Sequence, residues 1–221
     1  MMTNLFSAFD PATSKSLSLN WISIYSCILL LPMKYWLMPN RMNMVINNMH
    51  ETLSKEFKML LKQNSKGMLL LVIALFTFIL MNNIMGLLPY IYTSTSHMVM
   101  NLTMALPLWL SLMLFGWINQ TNNMFAHMIP TGTPTLLMPF MVLIETISNL
   151  IRPMALAVRL TANMIAGHLL MTLLGEKAAE CSASLMLIFM VQMSLMIFEA
   201  AVALIQAYVF SVLTTLYTSE I

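Results

Sequence analysis

Two apolar runs, about residues 135–174 and 182–218, constrain this chain more than any other feature. As straight helices each would extend on the order of 55–60 Å, about twice the thickness of a bilayer's hydrocarbon core. Pro153 is expected to kink the first run without ending it. Only the polar stretch Gly175-Glu176-Lys177-Ala178-Ala179-Glu180 interrupts the pair, so the two runs read as one hairpin of long, oblique helices. Composition points the same way. The 221 residues are 59% hydrophobic and 8% charged, against about 25% charged in a soluble domain. The runs are continuous, unlike the roughly ten-residue alternating segments of a barrel. The expectation is a single all-α integral membrane domain. The net charge of +2 is too small to imply a nucleic-acid partner.

The upstream chain supplies three more spans. Residues 1–16 read as a polar N-terminal arm with a turn at Asp10-Pro11. Residues 17–33 read as the first span, with Trp21, Tyr35 and Trp36 near its ends as in an aromatic belt. Lys34, Arg41, Lys55, Lys58, Lys62 and Lys66 then fall in one loop, against Glu51 and Glu56. Positive loops stay on the side of synthesis, which places this one on the matrix or cytoplasmic face. Within it Val45, Met49, Leu53, Phe57 and Leu60 or Leu61 recur at helical spacing, and Glu51–Lys55 is a favourable i,i+4 pair. Residues 42–63 therefore read as an amphipathic surface helix. Residues 67–89 and 98–118 are the second and third spans, the latter containing Pro107, and 119–134 reads as a loop. The count is five membrane-embedded helices, with the termini on opposite faces and the C terminus beside the basic loop. Cys27 and Cys181 read as small apolar residues. The excess of methionine, 26 residues, fits biased coding in an organellar genome. The absence of a transit or signal peptide fits synthesis inside the compartment of use.

The first long run carries Glu145, Arg152, Arg159, Asn163 and His168, all expensive at membrane depth and therefore functional by default. At 100° per residue Arg152, Arg159, Asn163 and Ala166 share a face, flanked by Ala155 and Ala162. Small residues around one cation permit close approach of another helix. Glu145 falls within about 40° of Arg159 but some 21 Å along the axis, while His168 lies about 180° away and some 13 Å toward the other end. Arg152, next to Pro153, is the weakest functional candidate, since it could serve a carbonyl freed by the proline. Folding the second run back about residue 183 sets Glu199 opposite His168 and Gln206 near Arg159, in nearly one register. Glu199, Ala203 and Gln206 also share a face. Buried Glu and His can exchange protons near neutrality, whereas Arg stays charged. A permanent cation between Glu145 and the His168–Glu199 cluster would block a continuous proton wire, which suggests two half-channels and a barrier. His50, His97 and His127 sit in loops without partner spacing, and metal binding by them is not expected. No catalytic triad, phosphate loop, metal cluster or dinucleotide fingerprint is present. The chain is expected to have no catalytic site of its own, no cofactor and no direct nucleotide binding.

The run Leu156-Ala157-Val158-Arg159-Leu160-Thr161-Ala162-Asn163-Met164-Ile165-Ala166-Gly167-His168 resembles the signature of the subunit a family of F-type ATP synthases, in its mitochondrially encoded form. Phe198-Glu199-Ala200-Ala201-Val202-Ala203-Leu204-Ile205-Gln206, Asn83-Ile84-Met85-Gly86-Leu87-Leu88-Pro89 and Leu143-Ile144-Glu145-Thr146-Ile147-Ser148 are similar to further motifs of that family. The resemblance implies a proton-conducting stator packed against a ring of c subunits. Peripheral-stalk and other membrane-sector subunits and the lipid bilayer would be its other neighbours. It implies that Arg159 faces each c-subunit carboxylate. His168 and Glu199 would belong to an intermembrane-space half-channel and Glu145 to a matrix half-channel, with Asn163 and Gln206 as polar positions near the arginine. It also implies the mitochondrial inner membrane, with the N terminus in the intermembrane space and the C terminus in the matrix. Bacterial members carry the acid and the imidazole of the His168–Glu199 pair exchanged, and Phe-Gly where Thr161-Ala162 stand. A stand-alone cation channel or carrier, and a purely structural assembly subunit, are the competing expectations.

Overall fold

The computed structural model describes residues 5–14, 17–25, 28, 31–32, 38–61, 66–129, 134, 137–180 and 185–220. Among these the fold is entirely helical. Two 3-10 helices, Leu5–Phe9 and Leu19–Tyr25, open the chain. Six α-helices follow: α1 (Arg41–Leu60), α2 (Lys66–Gly86), α3 (Met98–Asn119), α4 (Thr121–His127), α5 (Met138–Glu180) and α6 (Leu185–Glu220). A third 3-10 turn, Ser94–Ser96, sits between α2 and α3.

Four of these, α2, α3, α5 and α6, are long and apolar enough to cross a membrane. The fifth expected span, 17–33, is described chiefly as the 3-10 helix Leu19–Tyr25, and parts of it lie outside the described residues. So do Cys27, Tyr35, Trp36, Cys181 and the connection near residue 183. Two local expectations shift. The stretch 119–134 contains the short helix α4, because Thr121–His127 holds no proline or glycine to interrupt a helical turn. The polar run at 175–180 does not end the first long helix, since Glu, Lys and Ala are good helix formers and carry α5 on to Glu180 through Gly175. At 43 residues α5 is about 64 Å long. An unbroken helix of that length is about twice as long as the bilayer core is thick.

The core follows from periodicity. Val72, Phe76, Ile79 and Asn83 of α2, Leu156, Ala157, Leu160 and Met164 of α5, and Ala203, Ala207, Phe210 and Thr214 of α6 recur every three or four residues and are buried. Phe76, Ile79, Leu80, Ala105, Leu156, Ala157, Leu160, Ala207 and Phe210 form one cluster joining α2, α3, α5 and α6. The small residues Ala157, Ala203 and Ala207 let these helices approach closely. Phe57 of α1 is fully buried, and Met49 and Leu53 pack on the same cluster. The apolar face of α1 is thus largely taken up by the protein itself. Met42, Met44, Val45 and Met59 remain exposed to meet a membrane surface. Tyr208 of α6 donates to Glu56 Oε2 at 3.3 Å and ties α1 to the C-terminal end of the hairpin.

Candidate functional site

The helix α5 divides into two faces at its middle. Leu156, Ala157, Leu160, Thr161 and Met164 point into the core. The Thr161 hydroxyl is satisfied by the Val158 carbonyl at 2.9 Å, so it adds no unpaired polar group beneath the arginine. On the other face Ala155, Arg159, Ala162, Asn163 and Ala166 are exposed. Arg159 makes no ion pair among the described residues. A bare arginine at the middle of a membrane helix costs about 3 kcal/mol on insertion scales. Its neighbours are alanines and an asparagine, which offer no charge to offset that cost.

Towards the Glu180 end, α5 and α6 bring the acid and the imidazole together. Gly167 is the contact point: a Cβ added there would stand 2.8 Å from Glu199 Cδ. Glycine therefore makes room for the carboxylate one residue from His168. The His168 ring lies edge-on to Phe9, centroids 6.3 Å apart, and engages the Gly86 backbone. His168 Nε2 and Glu199 Oε1 are buried and have no hydrogen-bond partner among the described residues.

Two cavities meet at Glu199. One, of about 490 Å³, is lined by Asn83, Asn163, Gly167, Glu199 and Gln206. The other, of about 740 Å³, is lined by Asp10, Tyr92, His168, Gln192 and Glu199. Asn83 is completely buried, and both its side-chain polar atoms lack a hydrogen-bond partner among the described residues. Space beside unpaired polar atoms is where ordered water belongs. Gln206 and Asn163 share the first cavity, so the register that brings Glu199 to position 167 also brings Gln206 beside the arginine's helix.

Glu145 sits near the other end of α5, far from this cluster. Its Oε1 accepts from Arg152 Nη2 at 3.4 Å, and the Arg152 guanidinium lies 5.2 Å from the centre of the Tyr217 ring. Arg152 is thus engaged by a carboxylate two turns away and by the end of α6, not solely by its own backbone. The i,i+7 spacing to Glu145 was visible in the sequence, whereas Tyr217 shows only once the hairpin is closed. Also missed by spacing was His97, which joins Tyr92 and the carbonyl of Phe9 at the mouth of the larger cavity.

The family described as ATP synthase A chain matches residues 17–219. Curated relatives named ATP synthase subunit a match over the whole of both chains: 59% identical in Locusta migratoria, 58% in Aedes aegypti and 58% in Drosophila melanogaster. The chain belongs to the ATP synthase A chain family. As a member it is a membrane-sector subunit of an F-type ATP synthase and a multi-pass mitochondrial membrane protein. It works there with other components of that sector. In this A chain the exposed face of α5 carries the cation, while the half-buried His168 of α5 and Glu199 of α6 supply the imidazole and the acid.

Proposed function

We propose that this A chain conducts protons to and from a ring of c subunits through two offset half-channels kept apart by Arg159. The observation that carries this reading is the position of Arg159. Among the described residues it makes no ion pair, and it stands on an exposed face of small residues, on the same helix as the half-buried His168, whose partner Glu199 borders two cavities. A ring carboxylate brought within about 4 Å of the guanidinium would gain roughly 4 kcal/mol at an effective dielectric of about 20, equivalent to about three pKa units. It would ionise as it passes and take up a proton again on either side. Arginine holds its charge throughout, so no proton crosses at Arg159 itself.

Glu199 and His168 would exchange protons with the intermembrane space and Glu145 with the matrix, which places the N terminus outside and the C terminus in the matrix. Asn163 and Gln206 would hold water between Glu199 and the ring face. Peripheral-stalk subunits would keep the chain from turning with the ring. Arg159→Ala should abolish proton-driven ATP synthesis in the assembled complex while leaving the complex intact, as read from purified membranes. Normal coupled synthesis in that variant would sink the mechanism. Proton transport by the chain reconstituted without the ring would favour a stand-alone carrier instead.

A further inference from the structure

The N-terminal residues are folded against the site. The Leu5–Phe9 helix packs on α5, and Phe9 places its ring against His168. Two side chains hold it there. His97 Nε2 lies 3.0 Å from the Phe9 carbonyl, the Tyr92 hydroxyl donates to the same carbonyl at 3.4 Å, and Tyr92 and His97 contact each other directly. Trp21 covers this pair, with ring centres 5.2 Å from His97 and 6.2 Å from Tyr92. Burial first, and the nearby Asp10 carboxylate second, push the Tyr92 phenol up to about 12, so it remains a neutral donor.

Asp10 follows directly. Its Oδ1 accepts from the Ala12 amide at 3.0 Å, and its carbonyl accepts from Asn20 Nδ2 at 3.1 Å. These bonds fix the carboxylate at the rim of the 740 Å³ cavity, where it is exposed, with His168 and Glu199 on the same cavity's inner wall. Asp10 and Glu199 are the carboxylates lining that cavity among the described residues.

We infer that the N-terminal arm is the outer wall of the access route to His168 and Glu199, that Asp10 collects protons at its mouth, and that the His97–Tyr92 clasp holds it closed. This rests on the proton-path reading above. In each transfer the Asp10 carboxylate takes one proton from bulk solution or buffer and releases it to water in the cavity, ending unchanged. An exposed carboxylate raises the local proton supply where bulk diffusion is limiting. The clasp works through the arm's position, so His97 and Tyr92 are positioning residues.

The experiment uses the assembled ATP synthase in proteoliposomes. Asp10→Asn should lower proton-driven synthesis several-fold at low concentrations of mobile buffer, with recovery at high buffer. Equal rates to the parent complex at every buffer concentration would overturn the collecting role. Glu199→Gln serves as the control: normal synthesis there would refute the proton path itself, whereas a block there with normal Asp10→Asn refutes only the arm. For the clasp, Ala8→Cys is introduced with Cys27 and Cys181 replaced by Ser. His97→Phe should then speed labelling of position 8 by a membrane-impermeant thiol reagent several-fold. His97→Gln, which keeps an N–H donor for the Phe9 carbonyl, should restore the parent rate. Unchanged labelling in both His97→Phe and Tyr92→Phe would overturn the clasp.

Discussion

The two ends of α5 are built in opposite ways. Near His168, the buried atoms His168 Nε2, Glu199 Oε1 and both polar atoms of Asn83 have no hydrogen-bond partner among the described residues, and their side chains line cavities of about 490 and 740 Å³. Near Glu145 the charges are paired, Arg152 stacks on Tyr217, and the space beside Pro153 and Tyr217 is only about 20 Å³. A cavity with unsatisfied walls can hold water, and a paired, packed region holds almost none. In the proposed mechanism one access route would therefore run largely inside this chain. At the other end, in the proposed mechanism, the route forms where α5 meets the ring. The exposed strip of Ala155, Arg159, Ala162 and Ala166 is the surface such a neighbour would complete.

If the hollow end is the working route, removing its carboxylate should have the largest effect of the substitutions there. Glu199→Gln keeps size and burial but removes the titrating group. It should cut synthesis on the order of 100-fold, the scale typical of a lost proton-transfer group. The assembled complex should still form, because an amide is easier to bury than a carboxylate. A loss below about threefold, measured in proteoliposomes, would make the hollow end a structural void and erase the contrast between the ends.

The helix faces and the hairpin register were legible in the sequence, whereas the contrast between the two ends was hidden for physical reasons. Helical periodicity places Arg159, Asn163 and Ala166 on one face, and a hairpin count pairs position 199 with position 168, because both depend only on the regular rise and turn of a helix. The cavities were not legible, since void volume is set by side chains from helices distant in sequence. Asn83 of α2 reaches the site only through the fold. The clasp was hidden for the same reason. His97 and Phe9 are 88 residues apart, and no spacing rule reaches across that distance. The short α4 was missed because seven residues give too few turns for an apolar pattern to register.

Gly167 tests whether the hollow end depends on a placed carboxylate or only on an open space. Ala at this position suits a helix better than Gly by about 1 kcal/mol. The new Cβ would stand 2.8 Å from Glu199 Cδ and Oε1, both at the far end of a flexible side chain. Gly167→Ala should therefore leave thermal stability of the complex unchanged or slightly raised, because the carboxylate can swing aside. Displacing it should reduce synthesis by about tenfold, the equivalent of a 1.4 kcal/mol misplacement of the proton-transfer group. An unchanged rate would show that Glu199 works from more than one position and that the cavity matters more than the contact.

The smallest effect is expected for the pairing of Arg152 with Glu145, read as coupling in complex stability and separate from any loss of synthesis when Glu145 itself is removed, and it asks whether that pairing is functional or incidental. The Arg152–Glu145 contact is 3.4 Å long with side chains 28% and 34% exposed. Partly exposed pairs are worth roughly 0.2–1 kcal/mol after screening. Arg152 also keeps its contact with Tyr217 when Glu145 is neutralised, so the two halves of the pair are not equivalent. Arg152→Gln leaves Glu145 without its cation, whereas Glu145→Gln leaves Arg152 over the ring, and the first should be the more harmful to complex stability. A double-mutant cycle on complex stability should return a coupling of about 0.5 kcal/mol, with the double variant more stable than the sum of the singles requires. Zero coupling would mean the two charges merely lie close, and the closed character of this end would then rest on packing by Tyr217 and Pro153 alone.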